Sequence, residues 1–113
     1  MSKRDAKLYI EDIMEALEKI ERYTNGLSFE DFAASPQVID AVVRNFEIIG
    51  EAVNNIPNEV AAAHPDIPWE KMVSMRNKVI HEYFGIDEEI VWKTIHEDLP
   101  VFQERIVKML KEA

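Results

Sequence analysis

The sequence predicts an all-α antiparallel bundle of about five helices in a single domain over residues 1–113. Three observations carry this. Apolar residues recur at steps of three and four over most of the chain, the spacing that gathers them on one helix face. Only three glycines occur, and runs that alternate apolar with polar residues are absent, so strands have no support. Proline, glycine and serine cluster between the periodic stretches, where helices should start and stop.

Over residues 5–23, Ala6, Ile10, Ile13, Leu17 and Ile20 form one stripe, and Thr24-Asn25-Gly26 ends it, with Gly26 free to take a left-handed cap. Ser28-Phe29-Glu30-Asp31 has the pattern of a capping box for a short helix to about Ala34. Ser35-Pro36 then supplies an N-cap and a first-turn proline for a helix over 36–55. Its main stripe is Ile39, Val42, Phe46, Ile49, Val53 and Ile56, and a second strip adds Val38, Ala41, Ile48 and Ala52. Burial on two sides marks it as the central helix. Residues 56–68 hold three prolines and predict a loop with at most one turn at Glu59–Ala63. A fourth helix is expected from Pro68 to Tyr83, ended by Gly85. A fifth is capped by Asp87 and runs to the C-terminus with Val91, Ile95, Leu99, Phe102, Ile106 and Met109 on one stripe. Pro100 interrupts that stripe, which predicts a kink or break near Asp98.

Composition narrows the function. Without cysteine the chain has neither disulfides nor thiolate metal sites. The histidines at 64, 81 and 96 lack ligand spacing, and neither a metal nor a cofactor is expected. No apolar run reaches the roughly 20 residues that span a bilayer, and the N-terminus turns charged at once, so a cytoplasmic protein is the expectation. A formal net charge of −9 argues against a nucleic-acid footprint over the whole surface, but a local cleft needs only a few placed cations.

The chemistry-bearing stretch is Arg76-Asn77-Lys78-Val79-Ile80-His81-Glu82-Tyr83 on the fourth helix. Asn77 and His81 are one turn apart on the same face, Tyr83 lies nearly two turns beyond Arg76, and Arg76 is about 100° round from Asn77. An arginine fork holds phosphate, an imidazole exchanges protons near neutral pH, and a tyrosine adds a hydroxyl. Together they point to RNA chemistry at a helix surface. One histidine leaves the acid or the base of a two-proton reaction unassigned, and a symmetric dimer could supply the second. Met72, Met75 and Val79 lie on one side of this helix and Val73, Ile80 and Phe84 on another, one for the core and one for a two-fold partner.

The form Arg-x-x-x-x-His-x-Tyr, with a polar residue after the arginine, resembles the motif of the HepT-like family within the HEPN superfamily. Other segments agree in order and spacing: Arg44-Asn45-Phe46-Glu47-Ile48-Ile49-Gly50-Glu51-Ala52, Pro68-Trp69, Tyr83-Phe84-Gly85-Ile86-Asp87, Val91-Trp92 and Asp98-Leu99-Pro100. The resemblance covers nearly the whole chain. It implies a HEPN-type bundle, a homodimer with its cleft between protomers, and metal-independent RNA cleavage as the toxin of a toxin–antitoxin pair. The partner it implies is a nucleotidyltransferase-like antitoxin that can add AMP to the motif tyrosine. By motif position Arg76 and His81 would be catalytic, Asn77 supporting and Tyr83 the modified residue.

From residue types, His81 would act as general base or acid and Arg76 would stabilise the phosphorus-centred transition state. Asn77 would orient phosphate or imidazole, and Lys71 and Lys78 would bind the RNA backbone. The rival reading is a non-catalytic helical adaptor that binds a nucleotidyltransferase or a nucleotide. Another is a structural dimer in which Arg76 and His81 only make interface hydrogen bonds. Arg76 could also simply pair with Glu47, Glu51 or Glu82. Gly50, inside a helix, suggests close helix–helix approach. Asp40, Arg44, Glu47 and Glu51 form a solvated arc or a cleft wall, and Asn45 is either a structural hydrogen-bonder or a cleft residue. Trp69 and Trp92 are expected to pack the bundle; His64 and His96 look incidental.

Overall fold

The computed structural model describes residues 5–81 and 88–112, and every regular element among them is helical: α1 (Ala6–Thr24), α2 (Phe29–Ala33), α3 (Pro36–Asn54), α4 (Asn58–Ala63), α5 (Trp69–His81), α6 (Glu88–Glu97) and α7 (Leu99–Glu112). The predicted end of the fourth helix at Gly85 and the Asp87 cap lie outside the described residues.

Local chemistry sets the boundaries. Asp5 caps α1 by accepting from the Lys7 amide, and Gly26 follows with φ +79°, a conformation in which a side chain would strain the backbone. Ser28 and Asp31 exchange hydrogen bonds as a capping box on α2. Ser35 caps α3 with Pro36 in the first turn, where the missing N–H would have had no helical partner.

One expectation needs correction. The segment expected as a loop with one turn contains the six-residue α4. Pro57 stands at its start with φ −59°, already near the helical value, and three alanines favour helix over the residues after it. The Trp69 indole N–H then donates to the carbonyls of Ala61 and His64, both at 3.2 Å, and closes the end of α4. The kink or break expected near Asp98 is present, where α6 and α7 meet at that residue. Pro100 has no N–H to offer the His96 carbonyl. Amide bonds from Asp98 to Thr94 and from Phe102 to Asp98 persist across the junction, so the chain bends and continues helical. Seven helical segments therefore stand among the described residues, where about five were expected.

α3 is the centre, with α1 and α5 both packed against it; α7 closes on α1 and α2 bridges α3 to α6. The core is one cluster in which Phe32, Phe46, Phe102, Ile13, Ile20, Ile49, Met72, Ile106 and Val42 are essentially sealed from solvent. Trp92 packs on Phe32 and Phe29, with ring centroids 5.2 and 6.2 Å apart, and His96 stacks on Trp92 at 4.2 Å. Both tryptophans thus serve packing, as expected.

Candidate functional site

α5 buries Met72 and Met75 and half-buries Val73, and this packing fixes which way the helix presents Arg76 and Asn77. Both of those polar residues are half-buried. Arg76 Nη1 donates to Asn77 Oδ1 at 2.9 Å. Arg76 Nε is sealed from solvent and has no hydrogen-bond partner among the described residues, an unusual state for a charged donor. The stem of Arg76 crosses α3 at Gly50, so the close approach expected there is an arginine laid against a helix backbone.

The pairing of Arg76 with Glu47 or Glu51 does not occur among the described residues. Glu47 is bound instead by Arg44 at 3.3 Å on an exposed face, and the Arg44–Glu47 part of that arc is solvated. α5 is continuous through His81, so Asn77 and His81 stand one turn apart on one face. The side chains of Lys78 and His81, and Tyr83 altogether, lie outside the described residues.

Lys71 is not brought to this group. It is five residues before Arg76, about 140° round the helix, and pairs with Asp98 at 3.3 Å. Asn45 is buried, donates Nδ2 to the Ala41 carbonyl at 2.8 Å, and leaves Oδ1 without a partner. It lies about 140° round α3 from Gly50, on the opposite flank from Arg76. Its one hydrogen bond among the described residues is to its own helix, and no described cleft residue joins it. Among the described residues, no group of histidines and carboxylates could hold a metal, and no helix is long and apolar enough to cross a membrane.

A half-buried guanidinium, steadied by its neighbouring amide, can bind or stabilise phosphate charge. The family model described as "Ribonuclease HepT-like" matches residues 13–109. The chain belongs to the ribonuclease HepT-like family. Among its relatives, a protein of Thermococcus cleftensis named "Probable ribonuclease HepT" is 49% identical over 109 residues, covering 96% of this chain and 99% of the relative. A "Putative RNase" of Caldanaerobacter subterraneus subsp. tengcongensis is 40% identical, covering 92% of this chain and 93% of its own. One of Methanocaldococcus jannaschii carrying the same description is 38% identical, with 99% and 93% covered. No solved structure matches.

Sequence reasoning picked out Arg76 and Asn77, which the structure joins, but missed what Arg76 rests on. The one available signal was Gly50, a glycine with no turn to make inside a helix.

Proposed function

We propose that this HepT-like chain is a metal-independent endoribonuclease that works as a homodimer, with Arg76 and His81 as its catalytic pair. The observation that carries the reading is the inward-turned Arg76, tied to Asn77 on the helix that also bears His81. A charge half-buried beside an unmet nitrogen is a poor way to stabilise a fold and a good way to meet an anion.

In the proposed reaction one His81 takes the proton of a ribose 2′-hydroxyl. The 2′-oxygen attacks the adjacent phosphorus, the bond to the 5′-oxygen breaks, and that oxygen is protonated as it leaves. The second proton is supplied by His81 of the other protomer across a shared cleft. Arg76 stabilises the extra negative charge on the phosphoryl oxygens, and Asn77 keeps its fork in place. The nucleophile is internal to the substrate and needs no metal to deliver it. Lys78 is the further cation of α5 offered to the RNA backbone, and Lys71, held by Asp98, is not.

Unrestrained cleavage would damage the cell that makes it, which fits a toxin held in check by a nucleotidyltransferase-like antitoxin. Tyr83 is then the acceptor: its hydroxyl oxygen attacks the α-phosphorus of ATP, pyrophosphate leaves, and the tyrosyl-AMP competes for Arg76.

The test is cleavage of RNA by purified wild type and His81→Ala, each with and without chelator. Wild type should give 2′,3′-cyclic phosphate ends whether or not chelator is present, and His81→Ala should give none. Equal cleavage by both proteins, with contaminating nuclease excluded, refutes the assignment.

A further inference from the structure

Gly50 lies within α3, whose last residue is Asn54, and glycine is a poor helix former. Its backbone does not call for glycine, since the positive φ among the described glycines belongs to Gly26. What calls for it is space. A Cβ on Gly50 would stand 2.4 Å from Arg76 Cγ, 2.7 Å from Cδ and 2.8 Å from Cβ. These atoms are the root of the arginine side chain. Rotation about χ1 would move Cγ and Cδ but leave Cβ where α5 holds it. A methyl group at position 50 therefore forces Arg76 to swing and α5 to back away from α3.

The other end of the arginine is held as well, by the bond from Nη1 to Asn77 Oδ1 at 2.9 Å. Between the two, Nε is buried without an acceptor, so no hydrogen bond of Nε selects the path of the stem. The path is set by shape at Gly50 and by the amide at Asn77.

We propose that Gly50 is a positioning residue for Arg76: the missing Cβ is a seat in α3 that, with Asn77, fixes the guanidinium before RNA arrives. Its purpose rests on the ribonuclease reading; the seat itself does not. A long side chain ordered during folding does not have to be ordered again when substrate binds or reacts.

Two readouts keep the seat and the activity apart. The first is the Arg76 Nε–H resonance in a 15N-labelled protein, assigned by its loss in Arg76→Lys. In wild type the sealed proton should exchange slowly with water. In Gly50→Ala it should exchange as fast as that of the exposed Arg44. The second is RNA cleavage. Gly50→Ala should lose on the order of 10²-fold in kcat, the scale of an ångström of misplacement, with KM little changed. Val42→Ala, a core truncation in the same helix, should lower Tm and leave kcat alone.

Slow Nε–H exchange persisting in Gly50→Ala overturns the seat whatever the activity, and a released Nε–H with full kcat overturns its role in positioning Arg76 for cleavage. A wild type without RNA cleavage fails the ribonuclease reading, and the resonance still decides the seat. If Gly50→Ala does not fold, Gly50→Ala in an Arg76→Gly background decides it, because only glycine removes all three of the atoms a methyl at position 50 would meet. Compared with Gly50→Ala alone, the double variant should restore a cooperative transition or recover at least roughly 4 °C in Tm; a double variant as unstable as Gly50→Ala alone overturns the proposal.

Discussion

α1 and α5 pack on the same central helix and bury different things. α1 contributes Ile10, Ile13, Ala16, Leu17 and Ile20, a hydrocarbon stripe whose charged residues stay outside. α5 contributes Met72 and Met75 and then turns Arg76 inward, with its stem on Gly50 and one nitrogen unmet. A helix selected only to hold a bundle would follow the first pattern, since an apolar residue at position 76 would avoid burying an unpaired donor. The proposed site would account for this departure from the cheapest packing on the α3–α5 side, with the α1–α3 side as its frame.

The sharpest way to break this contrast is to truncate one side and watch which property fails. Arg76→Ala should reduce RNA cleavage by on the order of 10²–10⁴, while circular dichroism and cooperative unfolding persist. Collapse of the fold instead would make Arg76 part of the frame and remove the reason to call α5 different.

Phe46→Ala in α3 is the mirror experiment. Phe46 is fully buried, and its loss should destabilise the chain by about 3–5 kcal/mol in urea unfolding. Specific activity in the remaining folded fraction should stay near wild type. A large kcat loss at a temperature where the variant is folded would show frame and site to be one unit.

Asn77→Ala should have a smaller effect, because it removes one acceptor and leaves the guanidinium on its seat. We expect about a tenfold drop in kcat, the size of one hydrogen bond to a charged group. In an Arg76→Ala background the same change should add nothing, because its partner is already gone. An additive loss would assign Asn77 a contact of its own with the substrate.

The frame was largely legible in the sequence because its signals are local. Ser28 with Asp31, Ser35 with Pro36 and Gly26 each act within a few residues, and the stripes of α1, α3 and α7 follow from periodicity alone. α4 was harder, because three prolines read as a loop while the residues between them favour a helix turn. On α5 the motif singled out Arg76 and Asn77, but Asn77 was expected to orient phosphate or imidazole, and its bond to the arginine fork emerged only in the structure. That Gly50 faces Arg76, and that Lys71 faces Asp98, depends on how far α5 slides along its neighbours, and neither helix carries that register in its own sequence. Asn45 could not be assigned from its position on the apolar strip, because its bond to the Ala41 carbonyl is a rotamer choice.

The smallest effect is expected at Lys71, and it tests where the working side ends. Its side chain is 63% exposed and its bridge to Asp98 is on the surface, so Lys71→Ala should change stability by less than about 1 kcal/mol. Lys71 stands about 140° round α5 from Arg76. RNA held at Arg76 reaches it only by wrapping the helix toward the α6–α7 junction. Lys71→Ala should then leave both cleavage and its salt dependence as in wild type. A phosphate contact would show itself differently: affinity would fall for all sequences alike, and the slope of log affinity against log salt would drop by about one. That result would extend the RNA path round α5 and bring Asp98, which neutralises Lys71 in the free protein, into competition with the substrate.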